Sequence, residues 1–290
     1  MIAMTVGLAV LVGLVLGLLG GGGSILTVPL LAYVAGLDAK QAIATSLVVV
    51  GVTSAVGAIS HARAGRVQWR TGLVFGVAGM AGAYAGGLLS RFVPGSVLLI
   101  GFAVIMIVTA IAMVRGRKQA CGAAEQRLPT HRVMIEGLAV GLVTGLIGAG
   151  GGFLIVPALA LLGGLPMPVA VGTSLVVITM NSFAGLSGYL SSVRIDFGLA
   201  AAVTAAALFG ALIGAQLTAR VNADALRKAF GWFVLLMASL VLGREVHPEV
   251  GIATAGVTAL AALLMFACNR FARCPLRRIS SRHGVAAAAT

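Results

Sequence analysis

The chain has 290 residues, of which 60% are hydrophobic and 9% charged, and its mean hydropathy is +1.10. A soluble domain carries about a quarter charged residues, so a water-soluble fold is excluded at the outset. The net charge of +13 does not point to nucleic acid: Lys and Arg lie almost wholly in short loops and the tail, where the cytoplasmic bias of membrane proteins puts them, and no basic, aromatic-interleaved soluble domain is present.

In chain order, apolar segments cover about residues 2–19, 24–36, 42–60, 71–90 and 94–114. A polar linker spans 115–132. It is followed by apolar segments at about 133–147, 152–165, 168–190, 197–219 and 226–242. A last apolar run near 250–268 precedes a basic tail from Arg270 to Arg282 and an alanine-rich end, Ala286 to Ala289. The first segment reads as retained, because Met1 to Thr5 carry no positive n-region and no small-residue cleavage site follows. Alternating ten-residue strands of the β-barrel kind are absent. Cys121, Cys268 and Cys274 show neither pairing nor metal spacing and read as reduced, unpaired thiols.

Two glycine-rich breaks organise these segments. Gly20, Gly21, Gly22, Gly23 and Ser24 interrupt the first apolar run, with Pro29 close behind. Gly148, Ala149, Gly150, Gly151 and Gly152 interrupt a later one, with Pro157 at the matching place. A shift of 128 residues superposes the two halves without a gap: Gly13 meets Gly141, Gly17 meets Gly145, Pro29 meets Pro157, Arg66 meets Arg194 and Gly82 meets Gly210. Thr45-Ser46-Leu47-Val48-Val49 likewise meets Thr173-Ser174-Leu175-Val176-Val177. Apolar bias matches Leu and Val by chance, but not Gly, Pro, Thr-Ser and Arg in one register.

The predicted organisation is a first transmembrane repeat over 1–114, a cytoplasmic linker over 115–132, a second repeat over 133–243, and an extra transmembrane helix with a basic cytoplasmic tail over 244–290. The segment 24–36 reaches only about 20 Å as a helix, short of an apolar core about 30 Å thick, so it forms a hairpin with 2–19. Each repeat then makes an odd number of crossings, which inverts the second copy. That arrangement puts the N-terminus outside and the C-terminus inside, with sixteen Lys and Arg inside against four outside; parallel copies divide them ten and ten. The fold class is therefore an all-α polytopic membrane protein built from two inverted repeats, each a glycine-broken hairpin plus about three transmembrane helices.

Irregular backbone in a bilayer is tolerated only where it is buried in protein or lines a cavity. Each break is followed by a new apolar helix whose N-terminal N–H groups and partial positive charge suit an anion. Two inverted breaks aimed at the bilayer midplane are the general plan of many secondary transporters. Thr45, Ser46, Thr173 and Ser174 open the following long segments, where their hydroxyls either donate to a substrate or bond back to a helix carbonyl. Asn181 lies two turns further on, beside Ser182, where the first copy has Thr53 and Ser54. His61, at a segment end beside Arg63, reads as solvated. The candidate substrate-binding residues are thus Gly20, Gly21, Gly22, Gly23, Ser24, Thr45, Ser46, Gly148, Gly150, Gly151, Gly152, Thr173, Ser174 and Asn181. No Asp, Glu, Lys or Arg is placed at mid-membrane, so no proton-coupling group is evident. The glycine runs lack a P-loop ending, and no catalytic or metal cluster is visible, which leaves no enzyme reading and no cofactor.

The pattern Gly-Leu-Leu-Gly-Gly-Gly-Gly-Ser-Ile-Leu-Thr-Val-Pro at 17–29, with Ala42-Ile43-Ala44-Thr45-Ser46-Leu47, resembles the sulfite exporter TauE/SafE family. Residues 145–157 and Val171-Gly172-Thr173-Ser174 resemble its second module, and the likeness covers about residues 5–243. The resemblance implies a bacterial-type inner-membrane permease that exports sulfite, an organosulfonate or another small sulfur-containing anion. Its expected partners are that anion and the lipid bilayer, with no nucleic acid and with homo-oligomerisation left open. An anion channel, or a non-transporting membrane subunit of a larger complex, is the alternative.

Overall fold

The structure, a computed structural model, describes residues 2–19, 25–115, 130–148, 151–161, 165, 167–217 and 223–245. The first break from Gly20 to Ser24, Gly150, most of the linker, all three cysteines, the apolar run near 250–268 and the basic tail lie outside the described residues. Ten helices follow one another, and there is no strand among the described residues. They are α1 (Ile2–Leu19), α2 (Thr27–Pro29, continued by π-helical turns over Leu30–Val34), α3 (Ala39–Arg63), α4 (Trp69–Leu89) and α5 (Gly95–Arg115), then α6 (Thr130–Ile147), α7 (Gly152–Leu161), α8 (Met167–Tyr189), α9 (Phe197–Leu217) and α10 (Ala223–Glu245).

The helices recur with the sequence repeat. The shift of 128 residues carries α1 onto α6 and α4 onto α9 end for end, and it carries the first residues of α3 and α5 onto those of α8 and α10. Local signals agree at the starts. The Asp196 carboxylate accepts the N–H groups of Gly198 and Leu199 at 2.9 and 3.1 Å, capping the first turn of α9. Four segments are long and apolar enough to cross a membrane among the described residues: Ala39–Arg63, Trp69–Phe92, Pro168–Tyr189 and Phe197–Leu217. Large apolar side chains point outward, with Val77 61%, Val108 61% and Phe209 62% exposed, while Ser46, Thr173, Ser174 and Ser182 are buried. That distribution suits lipid outside and polar groups within.

Packing pairs helices across the two halves. α1 lies on α9, α4 on α6 and α8, α3 on α8, and α5 on α10. A Cβ on Gly13 would run into the carbonyl of Ala207, and one on the corresponding Gly141 into the carbonyl of Gly79. Gly17 and Gly145 meet the carbonyls of Ala211 and Ala83 in the same way, and Gly210 and Gly82 those of Val10 and Leu138. Backbones this close require the missing side chains, which in lipid replace the hydrophobic drive with van der Waals contact. These two pairs run parallel. α3 and α8 run antiparallel: Leu47 meets Gly185, Gly51 meets Ser182, Gly57 meets Leu175, and His61 meets Gly172. Their crossing falls about Gly51–Val52 on one helix and Met180–Ser182 on the other. Val52 and Met180 correspond under the shift, so the two halves meet symmetrically at this point.

Candidate functional site

The second glycine break is ordered by its neighbours. α6 ends at Ile147, and Gly148 adopts φ +72° while its N–H reaches the Thr144 carbonyl at 2.8 Å. Gly151 adopts φ +71°, and its carbonyl accepts the N–H groups of Leu154 and Ile155 at 2.9 and 2.8 Å to start α7. Both glycines take a left-handed conformation that other residues rarely adopt. The last carbonyls of α6 would be orphaned at such a break. Here the Ser46 hydroxyl donates to the Gly148 carbonyl at 2.6 Å, and the Tyr189 hydroxyl donates to that of Leu146 at 2.6 Å.

The hydroxyls singled out in the sequence are buried and for the most part engaged with protein. Ser46 also reaches the Ile43 carbonyl at 2.7 Å, and its counterpart Ser174 reaches that of Val171 at 2.8 Å. Thr173 accepts the Gln68 N–H at 3.0 Å, tying α8 to the turn before α4. Thr45 is buried alongside. Between the two roles open to such hydroxyls, Ser46 and Ser174 take the bond back to a helix carbonyl. Thr27, just after the first break, is buried with its hydroxyl unpartnered.

Asn181 stands apart from the break. Its amide lies against Gly79, where a Cβ would come within 2.5 Å of Oδ1. Gly79 in turn touches Gly141, about two turns before the end of α6, so the Asn181 amide sits at the α4–α8 contact, level with the α3–α8 crossing. Asn181 Nδ2 and Oδ1, Ser182 Oγ and Ser54 Oγ are buried there without hydrogen-bond partners. Ser182 and Ser54 were not among the candidate site residues, although the repeat register pairs them.

The two ends of the crossing differ. From one end a cleft of about 200 Å³ runs inward between α1, α3 and α9, past Arg66, His61, Ser60 and Gly57 as far as Thr53. His61 therefore lines a cleft, with a buried, unpartnered Nδ1, instead of lying free in solvent. At the other end an open depression of about 590 Å³, lined by Asp38, Lys40, Ser192 and Arg194, reaches no deeper than Gln41 along α3. Below it α4 and α8 are sealed, with Gly87 packed on Gly185 and Gly188. Arg66 and Arg194 correspond under the repeat and stand at opposite mouths. No group of three or more His, Cys, Asp or Glu able to hold a metal ion occurs among the described residues.

The family described as sulfite exporter TauE/SafE matches residues 5–241. The chain belongs to that family. A relative in Xylella fastidiosa strain 9a5c, named a probable membrane transporter protein, is 36% identical over 249 residues, covering 83% of this chain and 95% of its own. Probable membrane transporter protein YdhB of Bacillus subtilis is 29% identical over 215 residues, covering 72% and 86% of the two chains. The corresponding figures for probable membrane transporter protein MJ0441 of Methanocaldococcus jannaschii are 30% over 196 residues, 64% and 72%. No solved structure matches.

This TauE/SafE chain is thus a multi-pass membrane transporter with a small-molecule substrate, and both the family and its relatives' names point away from an enzyme. Its polar inventory limits the chemistry further. No Asp, Glu, Lys or Arg occurs between Gln41 and Ser60 in α3, between Thr71 and Leu89 in α4, or anywhere in α8 and α9. The TauE/SafE interior around the crossing therefore offers hydroxyl and amide donors without fixed cations.

Proposed function

We propose that the protein is a secondary transporter that exports a small anion, sulfite or an organosulfonate, by alternating access between two inverted repeats. The observation that carries the reading is the difference between the two ends of the crossing: a channel opens at both ends at once, whereas here one end is cleft and the other sealed. The antiparallel run of α3 and α8 supports inversion, since helices related by an axis in the membrane plane oppose one another. So does the grouping of basic residues. The Lys40 ammonium reaches the Arg91 carbonyl at 3.2 Å beside Arg194, all three on the side assigned outside, while Arg66 marks the opposite mouth. The chain then sits in a bacterial-type inner membrane with its N-terminus outside and its C-terminus in the cytoplasm.

Binding takes place near the bilayer midplane between the glycine breaks, Gly20–Ser24 on one side and Gly148, Gly150, Gly151 and Gly152 on the other, with Thr45, Ser46, Thr173 and Ser174 beside them and Asn181 at the level of the helix crossing. Neutral donors and helix ends bind weakly enough to release. An anion leaving a cell at 100 mV, inside negative, gains about 2.3 kcal/mol per charge, so export needs no proton-coupling residue. The test is flux of radiolabelled sulfite, sulfate and organosulfonates in proteoliposomes, with trans-stimulation by unlabelled substrate. Saturable, trans-stimulated flux is expected; its absence for every compound defeats the anion claim, and flux without saturation or trans-stimulation would indicate a channel.

A further inference from the structure

Buried polar groups in folded proteins are almost always hydrogen-bonded, and the exceptions call for an explanation. At the level of the α3–α8 crossing three side chains are exceptions together. Ser54 is 1% exposed, Asn181 1% and Ser182 0%, and none of their polar side-chain atoms has a partner. Nearby hydroxyls show that partners are available in these helices: Thr53 reaches the Val49 carbonyl at 2.7 Å and Thr179 reaches that of Leu175 at 2.8 Å. Ser182 lies opposite Gly51 on the face that α8 turns to α3, and Ser54, its counterpart under the repeat, follows Gly51 by about one turn of α3. Asn181 borders the same place from the α4 side, where only the absence of a side chain on Gly79 makes room for its amide. The cleft ends at this level, for Thr53, the deepest α3 residue that lines it, precedes Ser54 by one residue.

We propose that Ser54, Asn181 and Ser182 form the central station at which the transported anion binds, and that this station takes monoanions bearing an –SO₃ group in preference to dianions. The assignment rests on the anion-transport reading above. Two hydroxyls and one amide supply four N–H or O–H donors, enough for the oxygens of one pyramidal or tetrahedral oxyanion. The helices around the station hold no cation at this depth. The cost of removing an ion from water rises with the square of its charge, so neutral donors replace the hydration of a monoanion far more completely than that of sulfate.

The probes are methanesulfonate and sulfate, which share the oxygens and differ in charge, and the readout is the unfolding temperature of the purified full-length protein in detergent. Methanesulfonate is expected to raise that of the wild type by about 3 °C at ten times its Kd, with sulfate far less effective. The double variant Ser54→Ala/Ser182→Ala is expected to unfold at or above the wild-type temperature without ligand, because it sheds two unpaired polar atoms, and to lose the rise with methanesulfonate. Asn181→Leu, of similar size, is expected to lose it too. A variant that keeps the full rise, or a double variant destabilised by several degrees without ligand, overturns the station. Equal stabilisation by sulfate overturns the preference for monoanions. A wild type with neither a rise nor flux for any compound defeats the anion-transport reading itself and this assignment with it. That outcome is distinct from a rise that merely survives in the variants.

Discussion

At one end of the molecule Gly87, Gly185 and Gly188 bring α4 and α8 together backbone to backbone, and the Tyr189 hydroxyl holds the end of α6. At the other end the corresponding positions are Ala215, Gly57, Ser60 and His61, and a cleft separates α3 from α9. The difference has a local cause. Where the sealed end has glycine at 87 and 188, the open end has the larger Ala215 and Ser60, and where Tyr189 closes on a carbonyl, His61 leaves Nδ1 unpartnered. Duplication supplied two equivalent surfaces, and a few side chains have made one of them harder to close.

The sharpest way to break this comparison is Gly188→Leu. A Cβ there would already lie 2.8 Å from the Tyr84 carbonyl oxygen and 2.9 Å from Gly87 Cα, so the seam cannot close over a larger side chain. Flux in proteoliposomes is expected to fall about tenfold or more, and wild-type flux would show that closing this seam is no part of the cycle. Next in size are Gly13→Leu and Gly141→Leu. Each should lower stability in detergent by about 1–3 kcal/mol, and by similar amounts, since each glycine abuts a corresponding carbonyl. Tyr189→Phe removes one hydrogen bond and should cost about 1 kcal/mol in the same measurement while loosening only the sealed end. The gentlest probe compares Ala211→Cys in the cleft with its counterpart Ala83→Cys in a chain lacking Cys121, Cys268 and Cys274. A membrane-impermeant maleimide is expected to label the first and spare the second, with transport near the wild-type level. Equal labelling would erase the distinction between the ends.

The helices are legible in the sequence because apolar length and the repeat define them independently. The segments read at 71–90 and 94–114 fall within two residues of α4 and α5. The break at Gly148 is legible for the same reason, since only glycine accepts its positive φ at no cost. The roles of the hydroxyls are less so. A sequence shows that Ser46 carries a donor but not that the Gly148 carbonyl lies 2.6 Å away, in a helix break 102 residues distant. Ser54 and Ser182 are far apart in the chain and come to one level only because α3 and α8 cross antiparallel there. His61 reads as a solvated end residue because its cleft arises from the spacing of α3 and α9, which no local pattern encodes.

The closest backbone contacts join α1 to α9 and α4 to α6, so each tight pair draws one helix from each repeat. The repeats are therefore interlaced rather than set side by side, and neither is a self-sufficient half. A chain of a single repeat would leave Gly13 and Gly17 of α1, and Gly82 of α4, facing lipid in place of a partner backbone. Such a chain becomes complete only by exchanging helices with a second copy of itself. Joining both repeats in one chain fixes a one-to-one pairing that separate chains would have to find by collision.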